Sequence, residues 1–414
     1  MNIYDLFYIL NKFFYFLTLI FSLPLKKLFY NKLDFWNAFF YDISQFNILI
    51  IKILQALINN QKLTPEINNI LKMYANNVPW QNSDINYSYL QYLKNNFNLT
   101  LIDNQPWKSG SIALIYRAIY NNEKIIIKMK KKDIDFKIKN DIFILEIIIY
   151  ILGIFINLYN FDESVKIYKL ILNEQIDFKR EVSNCKKYIK NFNNHKNIII
   201  PNICDELSSK DVICMEFING LNICEQNIDD PHITDDYIEE ISLEVCEIIL
   251  KSIIFYGFCH ADLHTGNFII NEKKIGLYDF GLCLSFSIEE QNLISQLFEN
   301  LCNNNFKKCS ELMIYNYCDS TKFYHKTLSI NDLILKLQNL FYLNYIINKK
   351  FSFIEIVEIH KLFNDFNLKL NYSFIKFELG LASLDSIIQL TSNRNIGLPE
   401  ILKKKYNDIN NFFE

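Results

Sequence analysis

The sequence predicts an α+β chain of two lobes, a small mixed β/α lobe followed by a mainly helical one, with a helical extension ahead of both. Three observations lead there. Two β-rich runs, Ile112 to Ile119 and Lys124 to Met129, flank the polar pair Asn121-Asn122, which is the pattern of a hairpin. Helical text takes over from Phe136 to about Phe192 and again from Asp235 nearly to the end. With 414 residues, 50% hydrophobic and 21% charged, the chain has the apolar surface for a large core and is far from the composition of a disordered one.

Taken in order, residues 35 to 80 read as helices. An apolar block runs from Ile48 to Ile58, and a further helix starts at Thr64-Pro65-Glu66, where Thr caps and Pro takes the first position, and ends near Val78-Pro79. After the hairpin, the helical stretch to Phe192 is broken near Tyr159 to Asp162. Short strands follow around Ile198 to Ile200 and Asp211 to Phe217, then a polar linker from Gln226 to Thr234 and a helix from Asp235 to Tyr256. After Asn271 one strand is expected, Lys274 to Asp279, with everything beyond it helical. The expected divisions are an apolar N-terminal segment, 1–34; the helical extension, 35–105; the small lobe with a helical insertion, 106–217; and the helical lobe, 218–414.

Composition excludes several classes of function. Forty-three basic against 46 acidic side chains give a net charge of -3, so no global field recruits nucleic acid. Only Arg117, Arg180 and Arg394 are arginine, while Asn, Ile, Phe and Tyr are abundant, so runs such as Asn303 to Asn305 or Lys403 to Lys405 read as solvated faces. The ten cysteines lie between Cys185 and Cys318 without a CxxC pair and mostly in apolar context, the usage of reduced, buried thiols in an intracellular protein. A zinc site is not expected.

Two apolar runs bear on location. Leu6 to Leu23 is interrupted by Asn11 and Lys12. Its unbroken part, Phe13 to Leu23, is about half the roughly 20 residues a spanning helix needs. A span, an interfacial anchor and a core-docking helix all remain open, and membrane association is expected. Ile142 to Tyr159, with Glu146 and Gly153 inside it, is expected to be a buried helix.

The strongest chemical signal is HADLHTGN at 260–267, followed by YDFG at 278–281 after a short apolar hairpin. Phosphoryl transfer needs one carboxylate to orient the attacking oxygen, and an amide oxygen with a second carboxylate to hold Mg²⁺ against the phosphates. Asp262 takes the first role; Asn267 and Asp279 take the second. Upstream, Lys128 ends the apolar strand Ile125-Ile126-Ile127, where a phosphate-holding lysine belongs, and Glu181 in DFKREVSN is its expected helical partner. In place of a glycine-rich loop stands Lys108-Ser109-Gly110-Ser111, with one glycine.

In these motifs the chain resembles the UbiB (ADCK-type) atypical kinases over roughly residues 35 to 395. Lys52-Ile53-Leu54-Gln55 resembles the family's Lys-x-Gly-Gln helix, followed by Leu63-Thr64-Pro65 and Val78-Pro79. KSGSIALIYRA at 108–118 is similar to its alanine-rich nucleotide loop, and Glu174 to Asn184 to its Glu-x-Asp element and lysine-partner helix. Leu54 replaces the family glycine, Asn60 stands where arginine is usual, and two serines and a glycine replace the alanines.

The resemblance implies a protein-kinase-like fold whose N-terminal extension lies over the active site. It also implies ATP and Mg²⁺ as cofactors, and Ser109, Gly110, Ser111, Lys128, Glu181, Met215, Lys52 and Gln55 as nucleotide-site residues. The acceptor it implies is water or a small lipid- or quinone-related molecule rather than protein. Two other readings stay open. An aminoglycoside- or choline-type kinase shares the His-x-Asp loop but has no reason to carry the 52–79 segment, and a non-catalytic nucleotide-binding scaffold would keep every magnesium ligand.

Overall fold

The computed structural model describes residues 3–56, 64–155, 174–222, 234–264, 266–271, 274–318, 327–347, 353–366, 368–388 and 397–406. They form two compact units, one of residues 1–186 with 201–218 and the other of 187–200 with 219–414.

The first unit begins with α1 (Ile3–Phe29), α2 (Lys32–Phe46), α3 (Ile48–Ala56), α4 (Pro65–Asn76) and α5 (Tyr87–Phe97). Apolar residues from α2, α3 and α4 make the core of the extension, among them Phe40, Ile51, Ile70 and Leu71. Leu54, at the position the resembling family gives to glycine, is one of them and only 2% exposed, so its side chain fills this core.

The sheet of this unit orders β1 (Thr100–Leu101), β3 (Ala113–Tyr120), β4 (Glu123–Lys130) and β6 (Val212–Glu216), with β2 (Lys108–Ser109) also on β3. β3 and β4 are the hairpin expected from sequence. Tyr120 pairs with Glu123, and Asn121 and Asn122 both take positive φ (51° and 65°), the conformation a two-residue turn of this hand needs and asparagine tolerates. One sheet face carries Leu114, Tyr116, Ile127, Met129 and Cys214 into a core with Leu90 and Leu93 of α5. The other carries Ile126, Ile213 and Met215 against Phe178 and Val182 of α7 (Phe178–Asn191).

Between β4 and α7 in the chain comes α6 (Ile134–Phe155), which corrects an expectation. The run beginning at Ile142 is not buried all round: Ile134, Ile138 and Ile142 pack inward with Leu49, but Phe143, Ile147 and Tyr150 are exposed. The latter three are spaced i, i+4, i+7 and so share the opposite side of the helix. The expected break near Tyr159 and the Gln226-to-Thr234 linker, apart from Thr234 itself, fall outside the described residues.

The second unit centres on α8 (Asp235–Ile254), capped by the Thr234 hydroxyl accepting the Tyr237 N–H, and it packs with α13 (Tyr372–Ile388). Around it stand α9 (Ile288–Cys302), α10 (Phe306–Tyr317), α11 (Thr327–Tyr342), α12 (Phe353–Asp365) and α14 (Leu398–Ile401). Two small sheets complete it: β5 (Ile198–Ile199), β9 (Lys274–Leu277) and β8 (Phe268–Asn271) in one, β7 (Phe258–His260) with β10 (Cys283–Ser285) in the other. β10 is a second correction, because the chain after Asp279 was expected to be helical. Cys283 to Ser285 pair antiparallel with His260 to Phe258, and three residues in an apolar run show no alternation by which to recognise a strand.

Candidate active site

In the first unit, Lys128 leaves β4 on the face occupied by Phe178 and Met215, between Ile115 and Ile213 on the neighbouring strands. Its Nζ donates to Glu181 Oε1 at 2.6 Å, and the side chains are 12% and 3% exposed. Glu181 is delivered by the first turn of α7, whose start is fixed locally. The Asp177 carboxylate accepts the Lys179 and Arg180 N–H groups, while Arg180 reaches back to Glu174 at 2.8 Å. A buried ion pair of this kind stabilises little as a unit, but removing one partner costs about 3–5 kcal/mol, so the two residues hold each other in place.

The Ser109-Gly110-Ser111 loop is tied to the extension by Val78 N–H donating to Ser109 O at 2.7 Å and Ser109 N–H to Asn77 Oδ1 at 3.2 Å. Gly110 N–H closes the turn on Ala113 O at 2.8 Å. A Cβ added at Gly110 would meet only Ala113 O, at 3.6 Å, so the loop has room for the alanine common in the resembling family. Met215 lies on β6 opposite Ile126 and is buried. Lys52 and Gln55 fall on α3, but their side chains lie outside the described residues, as does Asn60.

In the second unit the HADLHTGN loop leaves β7. His260 is fully buried, and its backbone N–H donates to the Tyr188 hydroxyl. His260 Nδ1 accepts the Asp262 N–H at 3.2 Å, so the proton of the neutral ring sits on Nε2. Burial holds this imidazole below its usual pKa against the pull of the Asp262 and Asp279 carboxylates. Those carboxylates are thus both neighbours of one neutral ring.

The loop is closed by Asn267, whose Nδ2 donates to Asp262 O at 2.7 Å, and by His264 Nδ1, which accepts from Gly266 N–H at 3.0 Å. With Nδ2 committed, Oδ1 is the Asn267 atom available to a cation. Asp279 sits at φ 62°, a left-handed conformation open to short polar side chains, and Phe280 packs on the rings of Tyr188 and His260.

Several supporting residues escaped the sequence reading. The Tyr278 hydroxyl donates to Gly266 O and accepts from Asn222 Nδ2 at 3.0 Å, tying the two motifs together. Asn222 is brought there because Gly220, at φ 153°, passes β8 so closely that a Cβ would stand 2.2 Å from Ile269 Cγ2. Ser383 Oγ on α13 accepts the Leu263 N–H at 3.4 Å. These partners lie up to 120 residues away in sequence, and only the Tyr immediately before the Asp-Phe-Gly offered a local signal.

For Mg²⁺ the donor set fits. Asn267 Oδ1 and the Asp279 carboxylate are hard oxygen donors of the kind Mg²⁺ takes, and among the described residues no group of three or more His, Cys, Asp or Glu is gathered to hold a metal ion. Among the described cysteines, burial pushes thiols such as Cys185 and Cys259 up to about 12.

A hairpin sheet with a lysine–glutamate pair, and a helical unit with an Asp–Asn loop ahead of Asp-Phe-Gly, define the protein-kinase-like class. Within it, the chain belongs to the ABC1 atypical kinase-like domain family, whose model matches residues 79–313. Three curated relatives show the same likeness. "Probable serine/threonine-protein kinase abkD" of Dictyostelium discoideum is 25% identical over 59% of this chain and 37% of its own length. "Atypical kinase coq-8, mitochondrial" of Caenorhabditis elegans is 24% identical over 50% of this chain and 28% of its own. "Probable protein kinase UbiB" of Tolumonas auensis is 24% identical over 51% of this chain and 40% of its own. The chain thus matches less than half the length of each of these relatives.

Proposed function

We propose that this protein binds Mg-ATP and transfers its terminal phosphoryl group to water or to a small lipid- or quinone-related acceptor at a membrane. The observation that carries the reading is the buried Lys128–Glu181 pair, since a kinase lysine is useful only when a glutamate holds it for the phosphates. Lys128 is assigned to the α- and β-phosphates, with Ser109, Gly110 and Ser111 as the covering loop and Met215 beside the base. Asn267 and Asp279 would hold Mg²⁺, which when bound neutralises charge on the phosphates.

Asp262 is assigned to orient the acceptor hydroxyl and accept its proton; its backbone is fixed by His260 and Asn267 while the carboxylate remains partly exposed. The neutral His260 keeps this loop in register without competing for that proton. Membrane and lipid readings draw on the family resemblance and on α1, a 27-residue helix of length and composition sufficient to cross a bilayer.

Two substitutions test the assignment. Asp279→Asn should abolish the Mg-ATP-induced rise in melting temperature. Asp262→Asn should keep that rise and lower ATP turnover by about 10²–10⁴-fold. Parent protein that binds Mg-ATP and never turns it over would favour the scaffold reading. An Asp279→Asn protein with the full thermal shift would remove that residue from the site.

A further inference from the structure

Helix α1 turns a stripe of polar residues toward the protein, together with Leu19 and with Phe16 against Phe46, and a line of large apolar residues away from it. Asp5, Tyr8, Lys12, Tyr15 and Lys26 follow one another at spacings that keep them on one stripe of the helix. Every one is engaged by the body. Asp5 accepts from Asn140 Nδ2 at 3.2 Å, and the Tyr8 hydroxyl donates to Asp141 Oδ1 at 2.9 Å. Lys12 Nζ donates to the carbonyls of Gln45 and Phe46, the first at 2.7 Å. The Tyr15 hydroxyl reaches Asp42 O at 3.2 Å, and Lys26 pairs with the Asp42 carboxylate.

The outside of the helix is the reverse. Phe7, Phe14, Phe21 and Leu28 recur every seven residues and are 68%, 61%, 74% and 76% exposed. They form one apolar line along a helix of about 40 Å. On α6, Phe143 and Ile147 stand three and seven positions beyond Asn140, hence on the side where Asp5 is anchored, and they too are exposed. At the far end of the line the exposed Lys27 and Lys32 follow.

We propose that α1 lies flat in the headgroup–acyl boundary of a membrane, held to the protein by its polar stripe and to lipid by the Phe7–Phe14–Phe21–Leu28 line. A spanning orientation is disfavoured because it would carry Asp5, Lys12 and Lys26 into hydrocarbon away from the partners that satisfy them. The exposed lysines at the end of the apolar line fit lipid phosphates, the complementarity expected of an interfacial helix on an anionic surface. This deepens the membrane part of the function proposed above, and it is tested without any catalytic step.

The test is flotation of the purified full chain with vesicles of phosphatidylcholine mixed with phosphatidylglycerol. The parent should float, and an alkaline carbonate wash should release it. F7S/F14S/F21S should cut the floating fraction by about tenfold or more, as the apolar contact area is lost, with the Mg-ATP thermal shift unchanged. K27E/K32E should lose flotation on the mixed vesicles and keep it on phosphatidylcholine alone, which carries the test independently of the triple variant's folding. Parent that does not float, a folded triple variant that floats like the parent, or protein retained through the wash as a spanning helix would be, overturns the proposal. So does a lipid-free parent dimer that the triple variant abolishes while flotation persists, since a second copy would then cover the face. Absence of any Mg-ATP shift in the parent would sink the nucleotide reading and leave this one standing.

Discussion

Helix α1 is 27 residues long and buries two of them, Asp5 and Leu19, whereas α8 is 20 residues long and buries ten, Ile241, Val245, Ile248 and Ile249 among them. Both are rich in apolar residues. In α8 the apolar side meets protein, and Glu247 stays at the rim, where Lys251 and Lys405 each approach it to 2.6 Å. In α1 most of the large apolar residues face outward, and the helix docks through the hydrogen bonds of the polar stripe together with Leu19 and the Phe16–Phe46 contact. The comparison teaches that apolar content says a helix needs a non-aqueous neighbour, while the positions of its few polar groups say on which side the protein lies.

Ile249 lies in the centre of α8 and is 1% exposed. Ile249→Ala should cost about 2–5 kcal/mol, read as a fall in the urea midpoint at unchanged slope. A cost below 1 kcal/mol, about what an exposed site gives, would deny α8 its interior role.

Lys131 sharpens the contrast from within the first unit. Burial pushes its ammonium down to about 8, with Asp84 pulling the other way and Lys137 adding to the burial effect. Between about pH 8 and 10.5 the unfolded chain holds a proton there that the folded chain lacks, so this residue makes stability rise with pH across that window. Lys131→Met should therefore be stabilising by about 2–3 kcal/mol near pH 7 and close to neutral near pH 10.5. An equal gain at both pH values would show packing, not charge, to be responsible.

On α1 itself the two sides should differ. Tyr8→Phe removes a hydroxyl bonded to the Asp141 carboxylate and should cost about 1–2 kcal/mol in detergent-free urea melts. Phe14→Ser, on the outer line, should change the same midpoint by no more than about 0.5 kcal/mol. Equal effects would mean that α1 has no inner and outer side.

Much of the fold was legible because its signals are local. The Asn121-Asn122 turn, the Thr64-Pro65 helix start and the Asp262-to-Asn267 spacing each fit within a few residues. The sidedness of α1 and α6 was not, because hydropathy along a window records how apolar a helix is and not which stripe meets protein. Phe143, Ile147 and Tyr150 read as core for that reason. β10 was hidden by length, and Asn222, Tyr188 and Ser383 by distance along the chain, since nothing near them in sequence marks a hydrogen bond to the HADLHTGN and YDFG segments. Of the candidate site, the sequence offered the candidate side chains and not the groups that hold their loops in place.

The polar stripe of α1 also fixes an order of events during synthesis. Tyr8 and Asp141 are 133 residues apart, and Asp5 and Asn140 are 135. A ribosome adding about 5–20 residues per second therefore makes Asp5 and Tyr8 several seconds or more before Asn140 and Asp141 exist, whereas Asp42, Gln45 and Phe46, which hold Lys12, Tyr15 and Lys26, follow within 34 residues. Through that interval the first turns of α1 await the helix they dock on, while the Phe7–Phe14–Phe21–Leu28 line is already made. On the orientation proposed above, that line is ready for a lipid surface before the HADLHTGN loop has been made.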